Sequence, residues 1–137
     1  MNLFLDDIRN PYECLSYTGD TSYSLLEWQV VRDYHEFVDF IGYLFHEKKI
    51  LPELISFDHD LADEHYDPSM YQGETYNAKY PTFKEKTGYD CAKWLVEFCL
   101  DNKVLLPKFK VHSMNPAGGK NISGLLEGFK RFQEENS

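Results

Sequence analysis

Residues 3–10 of the chain read LFLDDIRN, and this stretch decides the class of fold. The apolar run from Leu3 to Leu5 is unbroken, which is typical of a strand that is buried on both faces in a parallel sheet. Asp6 and Asp7 follow immediately and close the strand. Ligands of parallel sheets bind beyond the carboxyl ends of the strands, so this acidic pair is a candidate functional site.

Similar apolar runs occur further along the chain and alternate with helical patterns. Helix-capping pairs with three-residue spacing start two of the helices, at Asp33 and at Thr87, and a last helix carries an apolar face around Leu126. This alternation predicts a three-layer α/β domain with helices on both faces of a mainly parallel sheet of four to five strands. The later strands are expected at Trp28–Val31, Leu54–Phe57 and Phe109–Val111.

Length and composition are those of one domain. With 137 residues, 42% of them hydrophobic, the chain can bury one core, so we expect a single domain over residues 1–137. Residues 62–86 are polar and rich in aromatic side chains, and a long loop is expected there, either a lid or a surface excursion. The first residues resemble neither a signal peptide nor a membrane span, which predicts a cytoplasmic protein with no membrane partner.

The charge balance narrows the class of partner. The chain has 14 Lys and Arg against 23 Asp and Glu residues, a formal charge of −9. Extended duplex nucleic acid is therefore excluded as a partner, because affinity for a phosphate backbone comes from clustered basic residues. A small anion can approach an acidic site where a cation, a helix N-terminus or a local basic group offsets the repulsion. This requirement favours a bound divalent metal ion.

A second acidic pair strengthens that prediction. Asp58 and Asp60 follow the third strand as Asp6 and Asp7 follow the first, and neighbouring strands lie only about 4.8 Å apart. Close carboxylates repel one another unless a cation lies between them, and Mg²⁺ binds carboxylates together with water and phosphate oxygens. We therefore predict that all four aspartates bind Mg²⁺ or Mn²⁺. The alternative is that they cap turns, as strand-end aspartates commonly do.

Two histidines accompany the carboxylates. His59 lies between Asp58 and Asp60, and His112 ends the fourth strand. Each is a candidate metal ligand or general acid or base, and the alternative for each is a structural histidine at the sheet edge. Asp58, His59 and His112 form the predicted catalytic set.

A segment of small residues after the fourth strand completes the predicted site. It combines a glycine pair, a lysine and the start of a helix, so its backbone N–H groups could hold phosphate oxygens. Glycine-rich turns before helices are also common without any ligand. Arg9 is a further phosphate candidate, with a surface salt bridge as the alternative. The predicted phosphate-binding residues are Arg9, Ser113, Asn115, Gly118, Gly119, Lys120 and Asn121.

Four blocks of sequence, in order, resemble the family of cyclic-phosphate processing receiver domains, which are divergent relatives of response-regulator receivers. The blocks are LFLDDIRNP, ISFDHDL, TGYDCAKWL and VHSMNPAGGKNI. The resemblance implies a receiver-like form of the Rossmann-like α/β fold. It also implies that Asp6 and Asp7 match the acidic metal pair of receivers, Asp58 the phosphoacceptor, and Ser113 the small hydroxyl residue after the fourth strand.

The chain departs from an ordinary receiver in two places. The stretch from Pro11 to Ser24 replaces the first helix, and no fifth strand delivers the usual lysine, for which Lys120 is a possible substitute. These departures argue against a standard phosphorelay role, and the added Asp60, His59 and His112 favour hydrolysis over signalling. The resemblance implies a divalent-metal-dependent phosphohydrolase or phosphodiesterase acting on a small phosphorylated substrate, the cyclic phosphate of a nucleotide or of an RNA end. The alternatives are a non-catalytic metal-binding or partner-docking module and, from the spacing of Asp58 and Asp60, a phosphatase with an aspartate nucleophile.

Overall fold

The fold is described from a computed structural model of the chain. The structure describes residues 1–61 and 86–136. Residues 62–85, which make up nearly all of the expected long loop, lie outside the described residues.

The sheet has four parallel strands in the order β2-β1-β3-β4. Each strand contains four residues, at the positions that the apolar runs predict. Within residues 1–61 and 86–136 there is no fifth strand, so β2 and β4 are the two edges of this sheet. The strands are β1 Asn2–Leu5, β2 Trp28–Val31, β3 Leu54–Phe57 and β4 Lys108–Val111.

Helices of two kinds surround the sheet. In the described part of the chain three are long, with 15, 15 and 20 residues, whereas three consecutive one-turn helices fill the region between β1 and β2, where a receiver has its first helix. The long helices are α3 Tyr34–Lys48, α4 Gly88–Asn102 and α5 Pro116–Glu135. The short ones are the 3₁₀ helix Pro11–Cys14, α1 Leu15–Thr18 and α2 Ser22–Leu25.

The two predicted capping residues start their helices. The Asp33 carboxylate accepts a hydrogen bond from the Glu36 amide at 2.9 Å and caps α3. Thr87 and Asp90 form a reciprocal capping box at α4: the Asp90 amide donates to Thr87 Oγ1 at 3.3 Å, and the Thr87 amide donates to Asp90 Oδ2 at 2.8 Å. These bonds satisfy N–H groups that the first turn of a helix leaves without partners.

The last helix begins earlier than the glycine pair suggests. Asn115 is its N-cap, accepting a hydrogen bond from the Gly118 amide at 3.1 Å, and Pro116 occupies the first turn. Gly118 and Gly119 therefore lie inside α5 and not in a turn before it. Proline at the first helical position costs no hydrogen bond, which explains why the helix can begin there.

The two faces of the sheet are covered differently. On one face, alternate residues such as Leu3, Leu5 and Phe57 pack against all three long helices in the main core. On the opposite face Phe4 packs with Cys14 and Tyr23, which belong to the short helices. The three cysteines are free and buried. None of the helices in the described parts of the chain has the length and apolar character that crossing a membrane requires.

Backbone pairing continues one residue past three of the strands and aligns their ends. The Asp6 amide donates to the carbonyl of Val31 at 3.1 Å, and the Asp58 amide donates to that of Leu5 at 3.0 Å. In the same way the His112 amide donates to the carbonyl of Phe57 at 3.0 Å. The register thus places the side chains of Asp6, Asp58 and His112 together at the carboxyl-terminal ends of the strands, as parallel pairing predicts.

Candidate functional site

Three carboxylates converge where β1 and β3 end. Asp6, Asp7 and Asp58 each offer one oxygen, and these three oxygens lie within 4.8 Å of one another. Asp6 and Asp58 are 0% and 2% exposed, while Asp7 is partly buried. Negative groups at such spacing, and so poorly hydrated, repel one another strongly.

Asp6 is held by four hydrogen bonds. Its Oδ1 accepts from the backbone amides of Ile8 at 3.0 Å and Arg9 at 2.9 Å. Its Oδ2 accepts from Nη1 of Arg9 at 3.3 Å and faces Nε2 of His112 at 3.1 Å. Burial alone would raise the pKa of Asp6, but the bonds from His112 and the two amides outweigh it and lower the pKa to about 2. Asp6 is therefore a fixed negative charge at neutral pH.

For Asp58 the effect of burial on the pKa outweighs that of its hydrogen bonds. Its Oδ1 accepts from the His59 amide at 2.9 Å, but its buried Oδ2 has no hydrogen-bond partner within the described residues. Among the described residues, the cationic atom paired with it is Nη1 of Arg9, 4.0 Å from Oδ2. Burial first, and the charge of Asp6 second, raise the pKa of Asp58 well above its usual value.

The donor set fits a divalent cation. A buried carboxylate oxygen without a partner is costly, and this one lies beside two further carboxylates. Arg9 supplies one positive charge to this group, at hydrogen-bond distance from Asp6 alone. Mg²⁺ in proteins usually takes one or two carboxylate ligands, completed by water and substrate phosphate oxygens, and this group of three carboxylates can supply them.

Asp60, the fourth predicted ligand, points elsewhere. Its Oδ1 lies 3.0 Å from Nδ1 of His59, and its Oδ2 accepts from Nδ2 of Asn115 at 3.3 Å. It is not part of the group of three carboxylates that could share an ion. The structure therefore brings together three of the four aspartates and places Asp60 between a histidine and the N-cap of α5.

His112 lies beneath the carboxylates and has no solvent-exposed side-chain surface. Its Nδ1 is 2.7 Å from Oγ of Ser56, and its ring stacks on Phe4 with centroids 4.3 Å apart and an interplanar angle of 9°. Burial lowers the pKa of His112, although the hydrogen bond with Asp6 acts in the other direction. Both ring nitrogens are thus engaged in the interior.

Comparison with known families identifies the family of the chain. A family model described as "Cyclic-phosphate processing Receiver domain" matches residues 1–128. The chain belongs to that family. No curated protein and no solved structure gives a significant match. The matched range includes every residue of the site, and the all-parallel sheet with its helices is the receiver-like fold that the sequence blocks imply.

The predicted phosphate-binding residues of this receiver domain fall into three groups. Arg9 lies at the carboxylates, with Nη1 3.3 Å from Asp6 and 4.0 Å from Asp58. The N–H groups of Gly118 and Gly119 already donate within the helix cap, to Oδ1 and to the carbonyl oxygen of Asn115. Ser113 Oγ likewise accepts from the Asn115 amide at 3.1 Å. Lys120 and Asn121 are exposed on the first turns of α5.

Arg32 is a site residue that the sequence reasoning missed. Its Nη1 donates to the carbonyl oxygens of Asp6 at 3.1 Å and Arg9 at 2.6 Å, and its Nη2 donates to Oδ1 of Asn10 at 2.8 Å. It therefore fixes the backbone that carries Asp6, Asp7 and Arg9. Its position immediately after β2, at the same edge as the other strand ends, was the available signal.

Gly88 is a second residue that was missed. Its amide donates to the carbonyl oxygen of His59 at 2.7 Å, and a Cβ at this position would lie 1.7 Å from the carbonyl oxygen of Asp58. Only glycine allows such an approach between the start of α4 and the backbone of Asp58 and His59. The sequence signal for this close approach was a glycine inside the Thr87–Asp90 capping box.

Proposed function

We propose that this receiver domain is a divalent-cation-dependent phosphodiesterase that opens the cyclic phosphate of a nucleotide or of an RNA end. The single observation that carries the proposal is the buried Oδ2 of Asp58, which has no partner among the described residues and lies within a group of three carboxylates. The family description, which names cyclic-phosphate processing, supplies the substrate class.

Asp6, Asp7 and Asp58 would hold the cation. When bound, Mg²⁺ or Mn²⁺ would polarise the phosphoryl group and make water a stronger nucleophile. The hydrogen bonds to both oxygens of Asp6 orient its carboxylate, and Arg32 orients the loop that carries Asp7. Asp6, Asp7 and Asp58 would thus form a concentrated negative charge that a divalent cation neutralises.

The remaining groups handle the substrate. Arg9 carries the guanidinium nearest to the carboxylates and would contact a phosphate oxygen, since its planar fork suits a tetrahedral anion. His59 has its Nδ1 next to the Asp60 carboxylate, an arrangement that orients an imidazole for proton transfer through Nε2. His59 would donate the proton that the leaving oxygen takes up. The His112 side chain is fully buried and does not reach this surface.

The overall step is a hydrolysis that needs no further reactant. A water oxygen forms a new bond to phosphorus, and one ester P–O bond of the ring breaks. The leaving oxygen gains a proton and becomes a hydroxyl, while the water loses one. The product is a phosphate monoester, so one water molecule is consumed for each ring opened.

Turnover assays test the proposal directly. The purified protein is incubated with Mg²⁺ or Mn²⁺ and a panel of 2′,3′-cyclic and 3′,5′-cyclic nucleotides, an RNA with a cyclic phosphate end, and an aryl phosphodiester. We expect monoester formation that stops on chelation and in Asp58→Asn, and that persists in Asp39→Asn, whose carboxylate is exposed on α3. If none of these substrates were hydrolysed with either metal, the proposed phosphodiesterase activity would be refuted.

A second candidate follows from the same oxygen. Asp58 lies at the end of β3, the position that the phosphoacceptor has in receivers, and its unpartnered Oδ2 could attack a phosphoryl donor. Incubation with acetyl phosphate and mass spectrometry distinguish the cases. A stable adduct on Asp58 together with no phosphodiesterase activity would identify a signalling receiver or an aspartate-nucleophile phosphatase arrested at its intermediate.

A further inference from the structure

A line of four buried polar side chains runs through the sheet to the carboxylate group. Tyr23 Oη lies 2.7 Å from Ser56 Oγ, and Ser56 Oγ lies 2.7 Å from Nδ1 of His112. Nε2 of His112 then lies 3.1 Å from Oδ2 of Asp6. The four residues are 3%, 0%, 1% and 0% exposed in that order. They form a continuous series of three side-chain hydrogen bonds.

Each member comes from a different element. Tyr23 lies on α2, Ser56 on β3, and His112 and Asp6 directly follow β4 and β1. Ser56 is a hydroxyl residue between buried Ile55 and Phe57, in a strand that could otherwise be wholly apolar. Buried polar groups of this kind are stabilised only when all of them are satisfied, which gives the line a defined geometry.

The direction of the hydrogen bonds can be worked out from the ends. The Asp6 carboxylate accepts from two amides and a guanidinium, so it is the acceptor and Nε2 of His112 carries the hydrogen. If the ring is neutral, Nδ1 accepts from the Ser56 hydroxyl, whose oxygen accepts in turn from Tyr23. In this order every hydroxyl hydrogen has an acceptor. The reverse order would leave the Tyr23 hydrogen without one among the described residues.

We infer that Tyr23, Ser56 and His112 are positioning residues that hold the Asp6 carboxylate in place for cation binding, with His112 kept as its Nε2–H tautomer. This inference rests on the proposed function, because it assumes that Asp6 binds a cation. The stacked Phe4 ring fixes the plane of the imidazole, and Ser56 fixes its tautomer. In many metal sites, residues that hydrogen-bond to a metal ligand orient it in this way.

Two substitutions interrupt the line without touching the carboxylates. Ser56→Ala removes the donor to His112, and Tyr23→Phe removes only the outermost hydroxyl. We expect Ser56→Ala to weaken Mn²⁺ affinity by roughly tenfold or more, the usual effect of losing a group behind a metal ligand. Tyr23→Phe should give a smaller loss in the same direction. Ser56→Thr keeps the hydroxyl and should restore most of the affinity.

The test combines two measurements. Mn²⁺ affinity is measured by electron paramagnetic resonance for the wild type, the three variants and Tyr43→Phe, whose ring is 64% exposed on α3 and should have no effect. Long-range ¹H–¹⁵N spectra of the metal-free protein report the His112 tautomer, which we expect to be Nε2–H in the wild type and mixed in Ser56→Ala. A merely structural serine would change stability but neither readout.

The outcomes separate the two proposals. A wild type that binds no Mn²⁺ would refute both the proposed cation-dependent function and the positioning role of Tyr23, Ser56 and His112. A wild type that binds Mn²⁺, with unchanged affinity in Ser56→Ala and Tyr23→Phe, would overturn the positioning role alone. An Nδ1–H tautomer in the wild type would also overturn it. If Ser56→Ala does not fold, Tyr23→Phe still decides, since it removes a single oxygen.

Discussion

Nη1 of Arg9 lies 3.3 Å from Oδ2 of Asp6 and 4.0 Å from Oδ2 of Asp58, so one guanidinium faces both buried carboxylates. The position matches that of a counterion. Two further contacts hold the guanidinium of Arg9: Nη2 lies 3.1 Å from Sδ of Met114, and the guanidinium carbon lies 5.6 Å from the centre of the Tyr17 ring. Arg9 therefore both stabilises the acidic group and competes with a divalent cation.

The first prediction concerns this competition. Arg9→Gln should bind Mg²⁺ or Mn²⁺ about tenfold more tightly, since a unit charge at 4 Å contributes up to about 4 kcal/mol at an effective dielectric constant of 20. The same variant should have a higher KM for cyclic phosphates, because it lacks the phosphate contact. Calorimetric titration and steady-state kinetics measure the two effects. Arg131→Gln, exposed on α5, is the matched control; equal cation affinity in both variants would show that Arg9 does not compete.

The second prediction concerns Asp58. Asp58→Asn removes a buried charge that burial and Asp6 both disfavour, so the metal-free variant should be more stable than the wild type by about 1–2 kcal/mol. At a Mg²⁺ concentration about 100 times Kd the wild type should gain about 2.7 kcal/mol, and the variant none. Urea unfolding with and without Mg²⁺ provides the measurement. Stabilisation of both proteins by Mg²⁺ to the same extent would place the cation elsewhere.

The third prediction concerns Gly88. Gly88→Ala should destabilise the protein by about 3 kcal/mol or more, because its Cβ would lie 1.7 Å from the Asp58 carbonyl oxygen and force α4 away from the site. Gly42→Ala is the matched control: among the described residues, a Cβ there would meet nothing within 4 Å beyond the adjoining backbone of its own helix, and alanine inside α3 should stabilise by roughly 0.5–1 kcal/mol. Urea midpoints compare the two. If the urea midpoint of Gly88→Ala equalled that of the wild type, the close approach of Gly88 to the Asp58 carbonyl oxygen would be contradicted.

The fourth prediction concerns acid stability. The hydrogen bond from Lys110 lowers the pKa of Asp20 to about 2. Because the folded pKa is depressed, the contribution of this pair is present above the unfolded value of about 3.9 and disappears as the pH falls through about 2. The stability difference between the wild type and Asp20→Asn should therefore be largest near neutral pH and vanish in strong acid. A difference that does not depend on pH would show that the pair makes no electrostatic contribution.

Local pattern was enough to predict much of the fold. The apolar runs at Leu3–Leu5 and Leu54–Phe57 predicted buried parallel strands because such strands need no polar face. Asp33 and Thr87 predicted helix starts because a side-chain oxygen satisfies amides of the first turn. The segment of small residues after β4 was predicted to contain the start of a helix, and Asn115 and Pro116 begin α5 there, with the glycine pair inside the helix.

The candidate site was predicted only in part. That Asp6 and Asp58 would meet followed from their positions after neighbouring strands, which parallel pairing brings to one edge. That Asp60 would turn toward His59 and Asn115 did not follow, because the path of the chain after the strand decides it. The position of Arg32 immediately after β2 indicated that it lies near the other strand ends, but not that it binds the loop carrying Asp6, since hydrogen bonds to carbonyl oxygens leave no pattern in the sequence.

The sequence by itself determined the strands, the helix caps, the acidic strand ends and the family resemblance, since each depends on neighbouring residues or on short blocks in order. Only the tertiary structure decided how these parts act together. Tyr23 and Ser56 are 33 residues apart, and Ser56 and His112 are 56 apart, yet they form one hydrogen-bonded line to Asp6. Such a line depends on directions of side chains from four separate elements, which become fixed only when the sheet and its covering helices pack.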